Sequence, residues 1–470
     1  MAATYLHGVE TIEIDQGVRP VTVVKSSVIA LIGLAPIGTK NEPILVLSPN
    51  DAVQFGQKLP GFTIPQALDA IFAQGPATVI VVNTFDSVTN TEQVTLESQT
   101  ITGGKLKLSA APIGTVDVFD ADGITPFTGI LGTDYNIDAF GNFTALSAVA
   151  AEDLILKFSF KKLDVGTVTS AQIIGTSVAG VRTGSKCLET VFNTFGFTPK
   201  ILIAPVYIEL VAVATEFITL ADKYRAIALI DAPETTTVSQ AIAGRGPAST
   251  INFKTDSYRA YLLCPHLKVY DADSDSNINA PYSQFMAGVM ANVDLNEGYW
   301  VSPSNHTISG IVGTEYVVTA SVNDANTDAN LLNEKGIATT FTGYGTGTRT
   351  WGNRSAAFPV NTDPKNFIPI RRIADIVHES LEQAMLAFID KPINQATIDA
   401  IRDTGNGFFR TLIGRGAVLS GSKCLLSPDN TPEELAAGHV IFDLVFMGPT
   451  PAERITFKSY LDINLLTQIV

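Results

Sequence analysis

Arg454-Ile-Thr-Phe-Lys-Ser-Tyr-Leu-Asp-Ile-Asn-Leu-Leu466, close to the end of the chain, decides how the rest is read. Ile455, Phe457, Leu461, Ile463 and Leu465 alternate with Thr456, Lys458, Tyr460, Asp462 and Asn464, and only Ser459 breaks the apolar face. A period of two predicts a strand with one buried face, because successive side chains leave a pleated backbone on opposite sides. At about 3.3 Å per residue it reaches roughly 35 Å, long for a strand within one domain. It follows Gly448-Pro-Thr-Pro451, where Pro449 and Pro451 donate no hydrogen bond and hold the chain extended, so this segment is expected to act as a hinge. The start of the chain mirrors the end: Val9, Ile12 and Ile14 form a short strand pattern, and Gly17 to Pro20 are its hinge. Two strand-forming ends on hinged arms point to β-strands lent to other molecules, bound through main-chain hydrogen bonds with register set by alternate side chains. Pattern alone equally permits two edge strands in the chain's own sheet.

The 470 residues suffice for about three domains. Hydrophobic residues make up 46% and charged residues 16%, with a mean hydropathy of +0.23. That balance indicates well-packed domains whose weakly charged surface is open to coverage by partners. A net charge of −15 leaves little to neutralise phosphates and excludes nucleic acid as the expected partner. Cys187, Cys264 and Cys424 are far apart and odd in number, which fits reduced thiols and neither a disulfide framework nor a zinc site. The first residues lack the basic-then-apolar layout of a signal peptide. The most apolar window, Ile201 to Leu220, carries Pro205, Glu209 and Glu216 and reads as a buried strand running into a helix.

In chain order, Val28–Leu34, Ile44–Leu47 and Thr78–Asn83 are continuous apolar runs of the kind buried in parallel sheets. A helix is predicted between the last two, over Pro65–Gln74, and Ser48 is placed to cap a helix start. From Ser87 to Lys162 helical periodicity disappears and short alternating runs take over, predicting an inserted β-sandwich. Beyond it, helices over Cys187–Phe195, Glu209–Tyr224, Thr237–Ala243 and Tyr282–Val293 alternate with strands over Lys200–Ala204, Ala226–Asp231, Arg259–Leu263 and Ile337–Phe341. This rhythm predicts a doubly wound, mostly parallel α/β sheet. After Trp351 a helix face formed by Ile373, Val377, Leu381, Ala384, Met385 and Phe388 leads to a second helix over Ile398–Leu412, interrupted at Gly405 and Gly407. Strands over Ala417–Leu419 and Val440–Phe446 complete an α+β unit whose small sheet has edges to offer. The expected division is a 1–20 arm, an α/β core over 21–86 and 163–355, the 87–162 insertion, a 356–450 assembly domain and a 451–470 strand arm.

Motifs for chemistry fail in detail. Gly33 to Lys40 follows a strand as a phosphate loop does, but Pro43 stops any helix from aiming its amides at a phosphate, so a turn is expected. Gly343-Tyr-Gly-Thr-Gly347 also lacks a following helix and reads as a flexible loop. Asp271 to Asn277 spaces oxygens like a calcium loop, yet Ser276 stands where glycine is needed and Tyr282 where a bidentate Glu belongs, which leaves a solvated acidic loop. His378-Glu-Ser-Leu-Glu382 lacks the second histidine of a zinc helix and reads as a helix-surface pair. No G-x-S-x-G elbow occurs, although a triad assembled in space leaves no sequence trace. No catalytic residue, metal or cofactor is predicted.

Several stretches together resemble the contractile tail sheath proteins of tailed bacteriophages. They are Tyr5-Leu-His-Gly-Val-Glu10 with Gly17-Val-Arg-Pro20, Ser27 to Pro36, Gly298-Tyr-Trp-Val-Ser-Pro-Ser-Asn305, Trp351-Gly-Asn-Arg354, Ile370-Arg-Arg-Ile-Ala-Asp375 and Asp390-Lys-Pro-Ile-Asn394. The resemblance spans nearly all of the chain outside Ser87–Lys162. It implies a subtilisin-like core in topology only, and hexameric rings stacked into a helical sheath around a tail tube. It also implies baseplate and terminator partners, a place in the virion after assembly in the host cytoplasm, and contraction that drives the tube through the host envelope. On this view the exchanged strands hold while Gly17–Pro20 and Gly448–Pro451 absorb the reorientation. The segment Lys365–Arg415 is net positive by one within an acidic chain, so Arg402, Arg410 and Arg415 are candidates to face an acidic tube, or are ordinary solvated helix charges. The competing readings are a cytosolic hydrolase or transferase with the β-insertion as its lid, and an adhesive surface protein.

Overall fold

The computed structural model describes residues 21–246, 253–343 and 345–465. Val9, Ile12, Ile14, Gly17 and Pro20 lie outside the described residues.

The continuous apolar runs form one eight-stranded sheet. Its strands are β1 (Val28–Gly33), β2 (Pro43–Val46), β3 (Thr78–Asn83), β4 (Ile201–Ile203), β5 (Ile227–Asp231), β6 (Ala260–Leu263), β7 (Ile337–Gly343) and β8 (Gly347–Trp351). The spatial order is β8-β7-β6-β5-β4-β1-β3-β2. The six inner strands are parallel, with Val28 opposite Thr78 and Ile29 opposite Ile201, while β2 and β8 close the edges antiparallel. Both faces are covered, which is why these strands read as unbroken apolar runs and not as alternation. Val28, Ala30 and Ile32 pack with Val213, Phe217 and Leu220 of helix Val211–Tyr224 on one face. Ile29 and Leu31 pack with Leu68 and Ile71 of helix Ile64–Phe72 and with Met286 and Met290 of helix Tyr282–Asn296 on the other.

Between β3 and β4, Thr91–Thr100, Ile155–Leu163 and Ile113–Phe119 form one antiparallel sheet, and Lys105–Lys107, Asn142–Ala145 and Tyr135–Ile137 form another. They enclose their own core, in which Phe143 meets Phe158 edge-on at 6.1 Å and stacks on Tyr135 at 5.0 Å. After β8 come α1 (Ile368–Met385), α2 (Gln395–Arg415) and a two-stranded antiparallel sheet of β9 (Lys423–Leu426) and β10 (Phe442–Val445). Ile373, Val377 and Leu381 of α1 pack there on Phe408, Phe409 and Leu412 of α2.

Three local expectations are corrected. Helix α2 runs unbroken through Gly405 and Gly407. Gly405 is there for space: a Cβ on it would lie 3.0 Å from both Cβ and Sγ of Cys424 on β9. Where a flexible loop was expected, Gly343 and Gly347 pair with each other at the ends of β7 and β8, and the Thr346 N–H donates to the Gly343 carbonyl. Ala417–Leu419 is no strand; Ala417 and Val418 are buried, and the Leu419 N–H donates to the Met447 carbonyl at 2.8 Å. All three cysteines are buried free thiols. Among the described residues no helix is long and apolar enough to cross a membrane.

Candidate assembly site

The terminal arm separates into a held root and a bare tip. Along the root, Gly448 is buried against α1, where a Cβ would collide with Ile373 Cδ1. This glycine allows the arm root to approach α1 closely. Five residues on, the Glu453 carboxylate accepts from Arg354, whose Nε lies 3.1 and 3.2 Å from the two carboxylate oxygens. The Arg354 guanidinium sits 4.5 Å from the Phe358 ring centre and 3.8 Å from that of Phe367, and its Nη1 donates to Asn366 Oδ1 at 2.7 Å.

Beyond Glu453 the alternating stretch pairs with no strand among the described residues. The own-sheet reading therefore fails for Arg454–Leu465. Ile455 is 70% exposed, Phe457 91%, Leu461 103% and Ile463 76%, and Leu465 is exposed too. Each such side chain in water forgoes about 1.5–3 kcal/mol relative to burial. A contiguous exposed apolar run marks an interaction surface. The pair β9–β10 is a two-stranded sheet, marginal alone, and Leu425, Leu426 and Val445 on it are substantially exposed.

At the other end, Val21, Val23 and Val24 pack on the cluster formed by α1 and α2. The Val24 N–H donates to Ser380 Oγ at 3.2 Å, and the Ser26 carbonyl accepts from Arg372 at 3.1 Å. The start of the described chain is thus strapped along α1 before entering β1.

Helix α1 is tied to the sheet by ion pairs that sequence reasoning did not find. Arg372 bonds Asp294 at 2.7 Å, and their side chains are only 5% and 1% exposed. Asp375 receives Arg259 at 2.9 Å and Arg371 at 2.7 Å. Glu379 receives Thr198 at 3.1 Å and also the buried Lys200. Glu382, expected to pair with His378 on the helix surface, instead takes both arms of Arg225 at 2.6 and 2.7 Å. The Arg225 bond holds the Glu382 carboxyl below its ordinary range. His378 packs edge-on to Phe446 at 5.8 Å, and burial lowers its pKa. Only Arg371–Asp375, at i, i+4, had a local signal; the other partners are brought together by the fold.

The Gly33–Lys40 turn is laced by Asn83, whose Oδ1 accepts from the Ala35 N–H at 3.0 Å, and Lys40 is paired with Asp86 at 2.6 Å. In the acidic loop, Asp271 accepts from the Ser274 N–H and Oγ, and Asp275 from the Tyr270 hydroxyl at 2.7 Å. Behind the carboxyl ends of β4, β5 and β6, Glu209, Asp231 and His266 gather, a place where α/β sheets often bind ligands. Burial pushes the Asp231 carboxyl up to about 7. His266 Nε2 lies 3.4 Å from Glu209, and the Ser283 N–H donates to Asp231 at 2.7 Å. No imidazole among the described residues hydrogen-bonds a serine hydroxyl: His306 meets the Ser304 carbonyl and Glu297, and His439 meets Glu434. On α2, Arg402 is neutralised by Asp399 and Asp403 at 3.0 and 3.3 Å. Arg410 and Arg415 are exposed, with no ion pair among the described residues.

Comparison with known proteins matches residues 180–356 to the phage tail sheath protein central domain and residues 361–462 to the phage tail sheath C-terminal domain. The tail sheath protein of Burkholderia phage BcepMu is 45% identical over 98% of this chain and 97% of its own. That of Escherichia phage P2 is 24% identical over 99% and 98%. Among solved structures, the sheath complex of an extracellular contractile injection system, PVC, in its contracted state aligns over 99% of this chain and 100% of its own, with a TM-score of 0.61 at 18% identity. The contracted helical sheath of the anti-feeding prophage aligns with a TM-score of 0.60 at 15% identity over 98% of this chain and 100% of its own.

Proposed function

Because the chain belongs to the phage tail sheath protein family, we propose that its two ends are strands lent to neighbouring copies, so that contraction swings bodies that stay stitched together. The protein is a structural subunit of a contractile tail sheath and not an enzyme. Val9, Ile12 and Ile14 of one copy and Ile455, Phe457, Leu461 and Ile463 of another complete the β9–β10 sheet of a third. The observation that carries this reading is an arm tip that is apolar on alternate residues, exposed, and in no sheet among the described residues. Main-chain ladders suit a lattice whose subunits reorient, because they hold while the linkers turn.

The copies form hexameric rings stacked helically, in the virion, after assembly in the host cytoplasm. The division into an arm, an α/β core over 21–86 and 163–355, an 87–162 insertion, a 356–450 assembly domain and a 451–470 arm belongs to the same proposal. The baseplate and a terminator bound the array, and α2 faces the tail tube with Arg410 and Arg415. Arg402 is a weaker candidate, because Asp399 and Asp403 already offset its charge. Electron microscopy of chains lacking 1–20 or 454–470 tests the strand loan. Folded particles that no longer polymerise are expected, and ordered tubes from either truncated chain defeat it.

A further inference from the structure

We infer that Arg354 and Glu453 form a release catch that sets where the terminal arm pivots, an inference that rests on the arm being lent to a neighbour. Arg354 lies between β8 and α1, ninety-nine residues before Glu453. The ion pair therefore ties the arm root to the segment that leaves the core sheet, and not to the β9–β10 sheet from which the arm departs. On the upstream side the chain is fixed by the Leu419–Met447 hydrogen bond and by buried Gly448. On the downstream side every described apolar residue of the arm is exposed. With the catch closed the pivot is Arg454. With it open the pivot retreats to Pro449–Pro451, and the five residues Pro449–Glu453 join the free arm. At about 3.3 Å per residue this adds roughly 17 Å of reach.

The catch is built to be reversible. The ion pairs that fix α1 to the core at Asp375 and Asp294 keep their carboxylates 3% and 1% exposed, whereas Glu453 is 44% exposed. A pair with one carboxylate 44% exposed separates at lower cost than one buried on both sides, so when a neighbour pulls the arm this contact yields first. Arg354 does not depend on Glu453 for its position, because Asn366 and the two phenylalanine rings hold it in place to recapture the carboxylate. The catch is closed in the isolated chain and opens when a neighbour draws on the arm, supplying slack without breaking the strand ladder.

Trypsin reads the catch in the full-length, unassembled chain. Cleavage after Arg454 requires the held root to be free, whereas cleavage after Lys458 lies in the bare tip and serves as an internal reference. In Arg354→Met the cleavage sequence is unchanged. Its Arg454-to-Lys458 cleavage ratio, normalised to the same chain in urea, is expected to rise about fivefold, in line with loss of a partly exposed ion pair. Should Arg354→Met lower the melting temperature, Glu453→Gln, which leaves the aromatic stack intact, carries the measurement with the same normalisation. A ratio equal to wild type overturns the catch. In assembled sheaths both variants are expected to contract at lower denaturant than wild type, and an unchanged midpoint also overturns it. Failure of the strand loan is seen separately, as tubes formed by a chain lacking 454–470, while the cleavage ratio reports the catch in monomers.

Discussion

Arg372 on α1 and Asp294 near the end of helix Tyr282–Asn296 form an ion pair across the junction of the sheet and the C-terminal helices, with both side chains almost fully buried. Removing one partner of such a pair leaves an uncompensated buried charge, which outweighs the loss of the contact itself. Asp294→Ala should lower unfolding stability by about 3–5 kcal/mol in urea titrations of the monomer. Replacing both partners, as in Asp294→Leu with Arg372→Met, should recover most of that loss. A double variant no more stable than the single one would show that the pair is not an isolated unit.

Asp231 gives a pH signature. Its folded pKa is raised to about 7 from an ordinary 3.8, so the folded state holds the proton more tightly than the unfolded chain. Stability from this group is then full below about pH 4, declines as pH rises towards 7, and is flat above. The charges acting on it are those of His266 and Glu209; burial lowers the His266 pKa, but the Glu209 carboxylate 3.4 Å away, with Asp231 and Glu315, outweighs it and raises that pKa. Asp231→Asn keeps an oxygen for the Ser283 N–H and removes the titration. Its stability relative to wild type should therefore climb between pH 4 and 7, by at most about 4 kcal/mol, and level off above. A difference that is flat with pH in denaturant titrations would contradict the raised pKa.

The parts of the fold legible in the sequence are those decided by local pattern. Thr78–Asn83 is a strand end to end as its apolar run predicts, and Thr237 caps helix Val238–Ala243, with Gln240 closing the capping box. What was not legible depends on partners far along the chain. Gly405 reads locally as a helix breaker, because glycine costs about 1 kcal/mol in a helix, and only the position of Cys424 explains it. Glu382 pairs with Arg225, and Glu379 with Lys200, across separations that no spacing rule covers. The Glu209–Asp231–His266 group comes from the ends of three strands, and nothing near any one of them announces the other two. The arm is the reverse case: its alternation was plain in the sequence, and among the described residues nothing buries it.

Two glycines of the same helix should respond oppositely to added bulk. Gly414 has open space where a Cβ would stand, so Gly414→Ala should stabilise the monomer by about 0.5–1 kcal/mol through helix propensity alone. Gly405 faces Cys424 with no room for a branched side chain, so Gly405→Val should destabilise by about 1–3 kcal/mol despite leaving the helix otherwise intact. Thermal melts of the two variants decide the matter. Equal effects would mean that β9 is free to move away from α2.

Charges placed on the arm tip should separate folding from assembly. Phe457 and Leu461 are 91% and 103% exposed, so Phe457→Asp with Leu461→Asp costs the monomer no buried contact. Its melting transition should match wild type within the roughly 0.5 kcal/mol typical of surface substitutions. Assembly should fail, because two carboxylates would have to be desolvated in the receiving sheet with no partner supplied. Changing Thr456 and Lys458 to Asp, on the opposite face of the same strand, should be tolerated better, since a strand laid on a sheet edge turns only alternate residues inward. Sedimentation and negative-stain microscopy of both doubles give the comparison. Equal loss of tubes would show that net charge, and not the apolar face, governs docking.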